Sequence, residues 1–169
     1  VPSIAVFGLN TWAVRLPAAV MGVFAVIGTY FLVIELMRQL LPKAKKQMDA
    51  FSIQAPSLLS ALLLAISPWH LQFSRIAFEA NIGVTLNIWG LVAFFRGLTS
   101  TSWMAASAFF FGLSLYAYHS ERVFVPLLLL ILSALWRKEL FADRKRVAIG
   151  IVVGLLTLDP LLPLIFDTS

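Results

Sequence analysis

Residues 16–34 run for nineteen positions without a single charged side chain. A helix needs about 20 residues to cross a hydrocarbon core about 30 Å thick, so a run of this kind suits lipid. Uncharged stretches recur at 80–95 and 123–136. Hydrophobic residues make up 60% of the 169, and charged residues only 12%. A soluble domain carries about 25% charged residues, so a soluble fold of this size would lack the polar groups to cover its surface. In lipid the backbone must satisfy its own hydrogen bonds, which leaves helices or closed barrels. Barrel strands alternate with period two, and these runs are continuously apolar. The expected fold class is therefore all-α: a polytopic transmembrane bundle of about six helices, with short interfacial helices on the outer face. Residues 1–169 are expected to form one transmembrane domain.

The apolar pattern predicts helices at 16–37, 52–67, 80–95, 103–118, 123–136 and 147–166, the last interrupted by Asp159-Pro160 and Pro163. Several fall short of 20 residues, which flanking residues or local thinning of the bilayer would accommodate. Gly150 and Gly154 match a small-residue helix-packing pattern. Net charge is +5. The cations stand in short clusters between apolar runs, as in loops at an anionic membrane surface, and do not suggest nucleic acid. If the first helix starts outside, the inner ends collect Arg38, Lys43, Lys45, Lys46, Arg96, Arg137, Lys138, Arg144, Lys145 and Arg146. That is ten of the thirteen basic residues. Only Arg15, Arg75 and Arg122 fall outside, which sets the orientation by the positive-inside rule. A chain beginning externally at Val1, with no signal peptide, reads as a fragment with at least one helix upstream. There is no cysteine, hence no disulfide and no cysteine-based metal site.

The outer ends also hold Glu79, Glu121, Asp159, Asp167, His70 and His119, so chemistry is expected on the extracytoplasmic face. In Ser67-Pro-Trp-His-Leu-Gln-Phe-Ser-Arg-Ile-Ala-Phe-Glu79, Pro68 ends or bends a helix and Trp69 suits the headgroup belt. Arg75 and Glu79 are four apart and on one helix would share a face. Such a pair suits a lipid phosphate together with an acceptor or a metal; an interfacial ion pair closing a loop would look the same. In Tyr116-Ala-Tyr-His-Ser-Glu-Arg122, Arg122 lies outside against the charge bias, though a snorkelling arginine in a plain turn would also do so. His119 and His70 have no metal-ligand spacing. Arg15 precedes Pro17, expected in the first helical turn, and suits a lipid phosphate or an ordinary headgroup. Asp159 lies about 18 Å along the last helix. An acid at that depth is functional by default, unless the helix ends there at a recessed surface. No phosphate-cradling glycine loop, HExxH or nucleophile triad occurs.

The stretches "FGLNTWAVRLPAAVMGV", "SALLLAISPWHLQFSRIAFEAN" and "FFFGLSLYAYHSERVFVPLLLL" resemble the glycosyltransferase-C membrane enzymes. The closest branch is the dolichyl-phosphate-mannose-protein mannosyltransferase type with its bacterial and archaeal relatives, and the bacterial lipid A aminoarabinose transferase belongs to the same broad group. The likeness runs over nearly the whole chain in order, carried by Arg-Leu-Pro, Ser-Pro-Trp-His…Ser-Arg and Tyr-x-Tyr…Arg…Pro. It implies an inverting transfer of a sugar from a polyprenyl-phosphate donor to a protein or glycolipid acceptor, on the outer face of the plasma (inner) membrane. It puts the family's second acidic position on Glu79, with Arg75 as the arginine before it, and matches Arg122 to an arginine of the bacterial loop. Glu79 is thus the expected catalytic carboxylate, although many relatives have Asp there. Arg75 and Arg122 are the expected donor-phosphate ligands; His119, Arg15 and Asp159 would support them. The family's first external loop, with its essential acid, would precede this stretch, which alone is expected to be inactive. The expected partners are membrane lipids, the lipid-linked sugar as substrate, and the acceptor. Participation of a divalent metal is left open. A transporter or flippase, and a non-catalytic membrane scaffold, are the alternatives.

Overall fold

The structure, a computed structural model, describes residue 8 and residues 10–40, 50–76 and 78–159. The described residues form eight helices and no strands: α1 (Thr11–Leu40), α2 (Ala50–Ile66), α3 (Pro68–Arg75), α4 (Glu79–Gly97), α5 (Thr101–Ala117), α6 (Glu121–Leu135), α7 (Arg137–Leu140) and α8 (Arg144–Leu158). The chain gathers into two compact units, Val1–Ile88 and Trp89–Ser169, with the division inside α4.

In the first unit α1 begins five residues before the expected start. Asn10 is the cause: its side-chain oxygen accepts from the Ala13 N–H at 2.7 Å, satisfying one of the donors every helix start leaves open. Pro17 therefore lies inside the helix and not in its first turn. The buried residues of α1 are mostly small: Ala13, Ala18, Gly22, Ala25 and Gly28. Small residues let backbones approach, and polar side chains then bridge the helices. The first half of α4 does this. Asn81 Nδ2 donates to the Ala18 carbonyl at 3.0 Å. The Thr85 hydroxyl shares its proton between the Met21 carbonyl at 3.1 Å and the Asn81 carbonyl at 2.7 Å. Beside α1 lie α2 and, turned from it by a 57° bend, α3. The bend is local chemistry. Ser67 is extended at φ −62°, ψ 123°, and Pro68 takes the first helical turn, where its missing N–H costs nothing.

In the second unit α5 packs chiefly on α8, with α6 beside α5. Gly150 and Gly154 of α8 face α5, the first against Met104 and the second against Ala108. The Ser107 hydroxyl donates to the Gly90 carbonyl at 2.9 Å, tying α5 to the second half of α4. Asp143 starts α8 by accepting from the Lys145 N–H at 3.0 Å and from Arg146 Nε at 3.0 Å. The Arg146 guanidinium also reaches the Leu98 carbonyl.

Among the described residues one helix, α1, is both long and apolar enough to cross a membrane; α2 and α3 together would count as a second, broken span. The other helices fail that test on length or hydropathy. The helices α1, α2, α4, α5, α6 and α8 follow the six apolar runs in order, with α3 and α7 as short additions.

Candidate functional site

The expected site residues divide between the two units. Arg75 and Glu79, placed on one helical face by their spacing, do not share a helix. Arg75 is the last residue of α3 and Glu79 the first of α4. The break follows an aromatic stack: Trp69 and Phe73 at 6.2 Å, then Phe73 and Phe78 at 5.2 Å between ring centroids. Stacking Phe78 back on Phe73 takes the chain off the helical path just after Ile76. Both charges are exposed, and among the described residues no ion pair joins them. Each sits where a helix dipole favours it, the cation in a last turn and the anion in a first turn.

What the first unit does bring together is Arg75 and Arg15. Both line a cavity of about 670 Å³ bounded by α1, α3 and Ala65 of α2. Along α1 its wall runs from Thr11 to Ile27, about 24 Å at 1.5 Å per residue. Beyond Arg15 that wall is apolar: Leu16, Ala19, Gly22, Val23, Val26 and Ile27. The polar lining from α3 is His70, Ser74 and Arg75. The floor is a close helix crossing. A Cβ built on Gly22 would come within 2.7 Å of Ser74 Cβ. The His70 ring is fixed there, its Nε2–H donating to the Gly22 carbonyl at 3.1 Å. The Ser74 hydroxyl turns back to the carbonyls of His70 and Leu71, at 2.9 and 3.0 Å. The cavity thus pairs a long apolar wall with two exposed guanidinium groups, and no carboxylate is among its described lining residues.

His119, Arg122 and Asp159 belong to the second unit, and all three are exposed. The Tyr116 hydroxyl donates to the Thr157 carbonyl at 2.6 Å, so α5 and α8 finish at the same end, where α6 begins. This end holds His119, Arg122 and Asp159. Within the described residues α8 runs to Leu158, and Asp159 follows it with helical backbone angles, φ −50°, ψ −45°; the rest of the expected run, 160–166, lies outside the described residues, as does Asp167. Arg122 stands in the first turn of α6, where a helix dipole disfavours a cation. Helix electrostatics accounts for Arg75 but not for Arg122. At the opposite end lie Arg96, Arg137, Lys138, Arg144, Lys145 and Arg146, six of this unit's seven Lys and Arg residues. The Arg96 guanidinium stacks over Trp103 at 4.8 Å.

No group of three or more His, Asp or Glu side chains among the described residues is arranged to hold a metal ion. Sequence reasoning missed the link between His70 and the main chain of Gly22, 48 residues away. The available signal was the recurrence of small residues at 18, 22, 25 and 28 on α1. Compared with family models, curated proteins and solved structures, the chain matches none.

Proposed function

We propose that this chain belongs to a membrane protein that binds a phosphate-bearing lipid, and specifically to a polytopic, inverting glycosyltransferase that uses a polyprenyl-phosphate sugar on the extracytoplasmic face. The observation that carries the reading is the cavity of the first unit: its α1 wall is apolar from Leu16 to Ile27, about 17 Å, with Arg15 and Arg75 also among its lining. An isoprenoid phosphate has the same division, a long apolar tail ending in one anion. Each buried methylene of the tail contributes about 0.8 kcal/mol, and arginine grips phosphate oxygens through a planar fork.

On this reading the chemistry takes place at the anomeric carbon. The acceptor hydroxyl attacks C1 on the face opposite the phosphate. The C1–O bond breaks, and its electron pair leaves with the lipid phosphate. The hydroxyl proton passes to a carboxylate. The transition state has oxocarbenium character and sheds negative charge onto the leaving group. Arg75 and Arg15 would stabilise that charge. Glu79 is the carboxylate that supports the acceptor or takes its proton. A transporter would instead need polar side chains lining its path. Two polar residues inside α4, Asn81 and Thr85, are engaged by main-chain carbonyls, and the cavity wall is apolar.

The test is sugar transfer in membranes of cells expressing the gene in full. Glu79→Gln should lower turnover about a hundredfold or more, with the protein still folded and inserted. Unchanged turnover would remove Glu79 from the chemistry. Unchanged cellular glycans after alanine at Arg75, Glu79 and Arg122 together would favour the scaffold reading.

A further inference from the structure

We propose that His70 is a third phosphate-binding residue of the first unit's cavity, acting through Nδ1 in its protonated form. This rests on the reading of the cavity as a lipid-phosphate site. A carbonyl can only accept, so the contact with Gly22 O assigns the proton to Nε2. The ring is thereby held at the floor of the cavity that Arg15 and Arg75 also line. Its other nitrogen, Nδ1, is an acceptor while the imidazole is neutral and becomes a donor when protonated. Among the described residues lining the cavity, the charged groups are all of one sign. From α1 the cavity receives Arg15, from α3 itself Arg75, and from α2 only the uncharged Ala65. An anion is the complement this lining needs. Its arrival supplies the negative charge against which an imidazolium is stable. The proton comes from solvent: an Nδ1–H bond forms as one O–H bond of hydronium breaks, and no bond of the lipid changes.

The structure therefore couples lipid-phosphate binding to proton uptake. Imidazole is the side chain whose charge changes between pH 5 and 8, so binding should tighten on acidification. The probe is farnesyl methyl phosphate, a phosphodiester that keeps one negative charge across this range. Dimethyl phosphate serves as the head alone and farnesol as the tail alone. Purified protein in detergent should bind the probe about tenfold more tightly near pH 5.5 than near pH 8. Farnesol should show no such dependence, and dimethyl phosphate should bind far more weakly than the probe. His70→Gln retains an N–H for the Gly22 carbonyl but has no second ring nitrogen, so it should bind with a flat pH profile. A second readout uses the wild-type protein with 15N-labelled histidine: the Nδ1 resonance of His70 should move to its protonated position when the probe binds.

A pH dependence that persists in His70→Gln, or an Nδ1 resonance unmoved by bound probe, overturns the role of His70 and leaves the lipid-phosphate site standing. No binding of the probe by the wild-type protein overturns the lipid-phosphate reading itself.

Discussion

Asp143 shows how a single side chain carries both structure and a pH signature. It stands just before α8, accepting from the Lys145 N–H and from Arg146. The Arg146 hydrogen bond is the main reason its carboxyl is held below the ordinary 3.8; slight desolvation opposes it, and the backbone N–H groups of Lys145 and Arg146 assist. A carboxylate with a depressed folded-state pKa adds stability above its unfolded value, and that stability is lost as pH falls through the folded one. Asp143→Asn keeps a good capping side chain and removes only the charge. Near neutral pH the variant should melt below the wild type in detergent. The gap should close as pH drops below 3.8, and a gap that stays constant would show that the charge contributes nothing. The apolar run put the start of this helix at 147; the Asp143 cap moves it to Arg144. The His70–Gly22 bond was not legible in the sequence, because no local pattern pairs a ring with a main-chain carbonyl 48 positions away.

At the scale of the helix, the apolar periods gave existence and order well and boundaries less well. Asn10 moved the start of α1 from 16 to Thr11. Pro68 separated α2 from α3 as its ring requires. The shared face of Arg75 and Glu79 failed because a spacing of four means adjacency only while the helix continues, and the stack of Phe78 on Phe73 ends it. The crossing of α1 and α3 sets where Arg75 stands relative to Arg15, and it depends on the missing Cβ of Gly22. A methyl group there would meet Ser74 Cβ at 2.7 Å. Because Ser74 Cβ is fixed to its own backbone, all of α3 must move. Gly22→Ala should therefore cost about 1–3 kcal/mol and weaken binding of the isoprenyl phosphodiester. Ser74→Gly in that background removes the obstructing carbon and should restore part of both losses, less about 1 kcal/mol for glycine within a helix. Ser74→Ala keeps the carbon and should restore neither. Equal effects of the two second-site changes would mean that the helices do not meet at this point.

Across the whole molecule, the division of charge along the second unit bears most directly on a membrane setting. Six cations lie at the end where α5 and α8 begin, and Arg122 lies with His119 and Asp159 at the other. This was legible because cations cluster in short linear runs; the cavity of the first unit was not, because its wall comes from three separated segments. The 17 residues of α5 rise about 26 Å, close to a hydrocarbon core about 30 Å thick once its flanks are added. A helix at this limit crosses where the bilayer thins or its ends adapt. The absence of native cysteine makes a labelling test of the crossing clean. Thr99→Cys and Ser120→Cys place one thiol each at exposed positions just before and just after α5, and Gln72→Cys places one on exposed α3. A membrane-impermeant maleimide applied to intact cells should label Cys at 120 and at 72, and reach 99 only after permeabilisation. Labelling of 99 and 120 from the same side would mean that α5 does not cross. Labelling of 72 from the cytoplasm alone would place Arg75 on the wrong face for a sugar carried outside, and the transferase reading would fall with it.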